Sequence, residues 1–166
     1  MMRVWCVLAI VLAACGSKKD PAPIGMSGIS APVAQFSFDS LDARAVSSDS
    51  MRGKVGVLAF ITTYDLASQA LMNFVVQVAK SEPRAVYAMV ALQPRADREL
   101  VEQFRDTLNI GFPSAIADVG ATGFGEVRVP TVIILAPTGK IAFRKEGIVK
   151  GDELRRAIDS AASAQP

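Results

Sequence analysis

The residues best placed to do chemistry lie at one junction, Thr62-Thr63-Tyr64-Asp65-Leu66-Ala67-Ser68. Before it, Val55 to Ile61 is an apolar run that reads as a buried strand. After it, Leu66 to Lys80 has helical spacing. A buried strand feeding a helix is a common place for chemistry, because the helix N-terminus presents unpaired N–H groups. Asp65 could act there as a general base or a metal ligand, with Ser68 beside it. Against that, the chain has no histidine, so the commonest general base and metal ligand are absent. A second reading makes Asp65 an N-cap, its charge suited to the positive end of the helix, with Ser68 on an exposed first turn. The absence of a second clustered acid favours the cap.

The elements around the junction follow from periodicity. Phe36-Ser37-Phe38 and Leu41 to Ser47 read as two short strands, and Met51-Arg52-Gly53-Lys54 as a turn. The Leu66–Lys80 helix carries Leu66, Ala70, Phe74 and Val78 on one apolar stripe. Ala85 to Leu92 is a second buried strand. Asp97 to Leu108 is an amphipathic helix with Leu100, Val101, Phe104 and Leu108 inward. Phe112 to Ile116 is a short extended piece. Val132 to Leu135 and Ile141 to Lys145 flank Pro137-Thr138-Gly139-Lys140 as a hairpin. Asp152 to Ala162 closes the chain as a helix, with Asp152 as N-cap and Leu154, Ala157 and Ile158 inward. A helix joining two buried strands requires a parallel pair with a right-handed crossover, and the hairpin adds antiparallel strands. The expected fold is α/β: a mixed central sheet with helices on both faces and an N-terminal β-hairpin.

Composition narrows the function. The chain has 166 residues, 51% hydrophobic and 20% charged, enough for one domain with a proper core. A formal charge of +2 without a basic stripe argues against nucleic acid. The methionines are divided between the start of the chain and apolar segments such as those of Met72 and Met89, so they form no metal-binding cluster. No metal or cofactor is expected. "GATGFGEV", residues 120 to 127, has glycines but no strand-glycine-helix order, so it reads as a loop rather than a phosphate cradle.

The first residues read as an export signal, 1 to 14. Arg3 is followed by the apolar Val4 to Val11, shorter than the ~20 residues that span a bilayer. Leu12-Ala13-Ala14-Cys15-Gly16 resembles the bacterial lipobox, which implies lipidation of Cys15 and attachment to membrane lipid. A plain secretory signal with a chance cysteine is the alternative. Gly16 after the cysteine implies the outer membrane, with the chain facing the periplasm of the cell envelope. Residues 15 to 34, rich in Gly, Ser, Pro and Ala, read as a tether; 35 to 163 as the folded domain; and 164 to 166 as a tail. The only cysteines are Cys6 and Cys15. One leaves with the signal and the other is consumed by lipid, so the mature chain would hold no free thiol.

Six landmarks in order resemble the thioredoxin-like fold, and within it the membrane-tethered TlpA-like and redoxin families. Phe36 to Ser47 resembles their N-terminal hairpin. Met51-Arg52-Gly53-Lys54-Val55 resembles their "L-R-G-K-V", and Leu58-Ala59-Phe60 their "V-N-F". Val129-Pro130-Thr131 with the following strand resembles "V-P-T-x-F-L-I-D". Pro137 to Ile141 resembles "x-x-G-K-I", and Gly147 matches a following glycine. The families' junction reads "F-W-A-x-W-C-x-x-C". Aligning Phe60 puts Asp65 and Ser68 at the two cysteine positions. A carboxylate and a hydroxyl cannot carry thiol–disulfide exchange. The resemblance therefore implies the fold, no catalytic residue, and a redox-inactive binding or assembly module. The alternative is a residual non-thiol activity at Asp65 and Ser68. The resemblance also implies a cis Pro130 and a groove of Tyr64, Leu66, Val129, Pro130 and Thr131 open to an extended peptide; the alternative is that Pro130 only shapes the fold.

Overall fold

The computed structural model describes Val33 to Ala164. The export segment 1–14, Cys15, nearly all of the tether and the last two residues of the tail lie outside these residues. The elements are β1 (Ser37–Ser40), β2 (Val46–Ser47), α1 (Ser48–Met51), β3 (Val55–Ile61), α2 (Leu66–Ser81), β4 (Ala85–Leu92), α3 (Arg98–Thr107), β5 (Ser114–Ala117), β6 (Thr131–Leu135), β7 (Ile141–Glu146) and α4 (Gly151–Ser163). They build a seven-stranded sheet in the order β2-β1-β5-β4-β3-β6-β7. β3 runs parallel to β4, and β4 parallel to β5. β6 is antiparallel to β3, and β7 to β6. The expected N-terminal hairpin forms as the antiparallel pair β1–β2, with Phe38 opposite Val46.

Every residue of β3 and of β6 is buried, as strands covered on both faces must be. Val57, Ala59 and Ile61 point into one core with Leu71, Met72 and Val75 of α2, Val101 of α3 and Leu154 and Ile158 of α4. Leu58 and Phe60 point into the other, among Phe36, Phe38, Met51 and Phe124. The four phenylalanines stack there with ring centroids 5.2 to 5.9 Å apart. Helices do occupy both faces, but unequally. The crossovers β3-α2-β4 and β4-α3-β5 step in the same direction across the sheet, so right-handedness puts α2 and α3 on the same side. The opposite face is closed by the single turn α1, the chain before β1 and the loop 118–130.

Several sequence expectations are corrected. Only Val46–Ser47 of the expected 41–47 strand is extended, and Met51 belongs to a helical turn begun by a Ser47–Ser50 capping box. On α2 the buried residues are Ser68, Leu71, Met72, Val75, Val76 and Val78, while Leu66 is 82% and Phe74 37% exposed. Apolar residues fall on more than one face of the helix, so two stripes have helical spacing; packing on the sheet buries the one through Leu71, Met72 and Val75, and of the expected stripe Val78 is buried with it. Leu100 of α3 is exposed rather than inward. The N-cap of α4 is Lys150, without a side-chain bond, and Asp152 lies within the first turn.

Candidate functional site

The junction sits at the C-terminal edge of β3 and β4, where open α/β sheets place ligands. Asp65 is the N-cap of α2. One carboxylate oxygen accepts the Ala67 N–H at 3.0 Å, and the other accepts both the N–H and the hydroxyl of Ser68 at 3.0 Å. The Ala67 N–H contributes most to holding the Asp65 carboxyl below the usual carboxylate range, aided by Ser68 and opposed by burial. The group is thus ionised at neutral pH and engaged by the helix end it caps.

Ser68 is not on an exposed turn. It is fully buried, and its oxygen accepts the Thr62 N–H at 3.2 Å while donating to Asp65. A serine on the inward face of α2 has to satisfy its hydroxyl locally, and the strand end above it supplies the partner. Asp65 and Ser68 therefore meet, as their i,i+3 spacing predicts, but as a hydrogen-bonded brace between strand and helix.

Gln93, which sequence reading passed over, completes the brace. It is 2% exposed at the end of β4. Its Oε1 accepts from the Thr63 N–H at 3.0 Å and the Thr63 hydroxyl at 3.1 Å, with the Thr62 hydroxyl at 3.5 Å. Its amide Nε2 is buried without a partner. A polar residue directly after the apolar run 85–92 was the available signal. Tyr64 lies outside, 65% exposed, and its hydroxyl donates to Asp97. That bond to a carboxylate raises the Tyr64 pKa.

The Val129–Pro130 bond is cis, as the resemblance implied. Pro130 is buried and its carbonyl accepts the Gly147 N–H at 2.7 Å, while Val129 is half-buried. Thr131 does not line a surface. It is fully buried, pairs with Phe60, and donates its hydroxyl to the Arg128 carbonyl. Beside the junction a cleft of about 240 Å³ opens between α2 and α3, lined by Thr63, Gln69, Leu100, Gln103 and Phe104 among others. Tyr64, Leu66, Leu100, Val119 and Ile148 are exposed around this end of the sheet, five of the eight exposed large hydrophobics among the described residues.

Among the described residues no cluster of three or more metal-ligating side chains occurs, and no helix is long and apolar enough to cross a membrane. These residues also include no cysteine.

No protein-family model matches the chain, and no curated protein matches it. Solved structures do. MTB dsbF, seen in mixed oxidized and reduced forms, has 25% sequence identity and a TM-score of 0.70, over 80% of this chain and 100% of its own. A thioredoxin-family thiol:disulfide interchange protein from Chlorobium tepidum TLS has 21% identity and a TM-score of 0.67, over 79% and 95%. A secreted Mycobacterium tuberculosis disulfide oxidoreductase homologous to E. coli DsbE has 20% identity and a TM-score of 0.67, over 76% and 96%. The described domain thus has the thioredoxin-like fold of bacterial thiol:disulfide oxidoreductases, with a capping aspartate and a buried serine at its strand–helix junction.

Proposed function

We propose that this protein is a redox-inactive thioredoxin-like module, anchored in the cell envelope through Cys15 and facing the periplasm, that binds an extended polypeptide segment. The observation that carries the reading is the combination at one pole: a junction without thiols, ringed by exposed Tyr64, Leu66, Leu100, Val119 and Ile148. A free soluble surface gains nothing from gathering apolar side chains, whereas a polypeptide-binding surface does.

The alternative, a non-thiol activity at Asp65 and Ser68, fits the geometry poorly. The Asp65 carboxylate is occupied by the helix end, and the Ser68 hydroxyl is fully buried between Asp65 and Thr62. A nucleophile must reach its substrate, and this one is sealed beneath the loop.

The test uses a library of extended peptides, apolar and charged, with binding to the full chain read by fluorescence anisotropy. Leu66→Arg places a charge at this pole at a position 82% exposed, so the fold survives it. Selective binding of apolar peptides that is lost in Leu66→Arg supports the module. Binding to no peptide, or equal binding by both chains, rejects it. An insulin-reduction assay checks the redox half of the reading, with no activity expected.

A further inference from the structure

The opposite pole of the sheet carries a different signal. It comprises the N-terminal ends of β3 and β4, the β6–β7 turn, and the ends of α2, α3 and α4 that meet them. Five carboxylates lie there, and each is matched by an arginine: Asp42 with Arg44, Asp49 with Arg52, Glu82 and Asp159 with Arg84, and Asp106 with Arg105. Three lysines remain, Lys54, Lys80 and Lys140, with no carboxylate partner among the described residues. The pole thus has seven cationic against five anionic side chains. The described domain has 15 cationic and 15 anionic side chains. A neutral domain is therefore charge-separated along its strands, positive at this end.

The lysines share a surface by construction. Lys54 immediately precedes β3, and Lys140 lies in the β6–β7 turn. The Gly53 N–H donates to the Pro137 carbonyl at 3.1 Å, joining the two turns. Lys80 is in the last turn of α2, four residues before Arg84, and Ala85 pairs with Val55 in the strands above. The chain enters the domain at this same end. The Ala34 N–H donates to the Gly139 carbonyl at 3.2 Å, and Val33 packs so closely that a Cβ on Gly139 would fall 2.8 Å from it.

We propose that this pole docks on an anionic lipid bilayer through Lys54, Lys80 and Lys140. Lysines near a negative membrane surface are each attracted within a Debye length of it, and the arginines, held by their own carboxylates, contribute less. Docking in this sense turns the junction pole away from the lipid, where a polypeptide could reach it. The inference stands on charge distribution alone and needs neither an acyl chain on Cys15 nor a bound peptide.

The test mixes the full chain with vesicles of phosphatidylcholine containing phosphatidylglycerol, or of phosphatidylcholine alone. A membrane-impermeant lysine acylating reagent is added, and each lysine is read by mass spectrometry. On anionic vesicles Lys54, Lys80 and Lys140 should become several-fold slower to acylate than Lys145, which opposes Val132 toward the C-terminal end of β3. High salt should abolish the difference. Each single change of Lys54, Lys80 and Lys140 to Gln should weaken association with anionic vesicles about fivefold, and Lys145→Gln should not. Equal labelling of all four lysines overturns the proposal. So does protection that persists on phosphatidylcholine alone, which would mean attachment by another part of the chain, or failure of the chain to associate with anionic vesicles.

Discussion

The two ends of the sheet are made from the same strands, yet they expose different chemistry. Where β3 and β4 end, the surface gathers Tyr64, Leu66, Leu100, Val119 and Ile148 around a brace of buried hydrogen bonds. Where they begin, it gathers lysines left over from local ion pairs, beside the point where the N-terminal segment enters. The contrast teaches that a junction without thiols need not be a blank site. At the junction the two positions aligned with cysteines are held by a carboxylate and a hydroxyl that bond to each other and to both flanking elements. The described junction holds no thiol, and exposed apolar side chains lie at the same end of the sheet.

The sharpest way to break this comparison is to put the thiols back. In Asp65→Cys/Ser68→Cys the fold should support an internal disulfide, and insulin reduction should rise from none to measurable. A double variant that folds, titrates two thiols and remains inactive would show that more than two residues separate this junction from a working one. Next in size, Leu66→Arg should weaken peptide binding at least tenfold, about the loss of one apolar anchor of 1.5 kcal/mol or more, while leaving vesicle association unchanged. Lys54→Gln/Lys140→Gln should do the reverse. Either variant affecting both readouts would mean that the poles are not separate surfaces.

Smaller effects concern the brace. Gln93→Leu leaves the half-buried Thr63 N–H without its acceptor and should destabilise the domain by about 1–3 kcal/mol in urea unfolding. The orphaned Nε2 is removed in the same change, which limits the loss. Asp65→Ala removes an N-cap and should cost about 1 kcal/mol. Because the Asp65 pKa is depressed in the folded state, its contribution is fully present above the unfolded value of 3.8 and fades as pH falls through the folded one. The parent and Asp65→Ala stabilities should therefore converge only in strong acid. A gap that closed near neutral pH would contradict the capping geometry.

Much of the fold was legible because its signals are local. The runs 55–61 and 85–92 are continuous and apolar, the hairpin has a Pro-Thr-Gly-Lys turn, and Asp65 stands directly before a helical period. Such features depend on backbone geometry and on nearest neighbours in sequence. The site was less legible because burial and hydrogen-bond partners come from residues far apart. Gln93 reaches Thr63 across 30 positions, and nothing in the sequence around either one marks the pair. Thr131 reads as a groove residue, but its place opposite Phe60 in the central sheet buries it.

By itself the sequence determined most of the strand–helix order, the cap at Asp65 and the absence of any cysteine from the domain, because composition, period and capping act over a few residues; the single turn α1 and the strand β5 lie outside that reading. Only the tertiary structure decided which stripe of α2 faces the sheet, that Ser68 is sealed inside, and that exposed apolar residues and unpaired lysines collect at opposite poles. Those outcomes depend on how distant elements pack, and helical spacing alone gives both stripes of α2 the same right to the core.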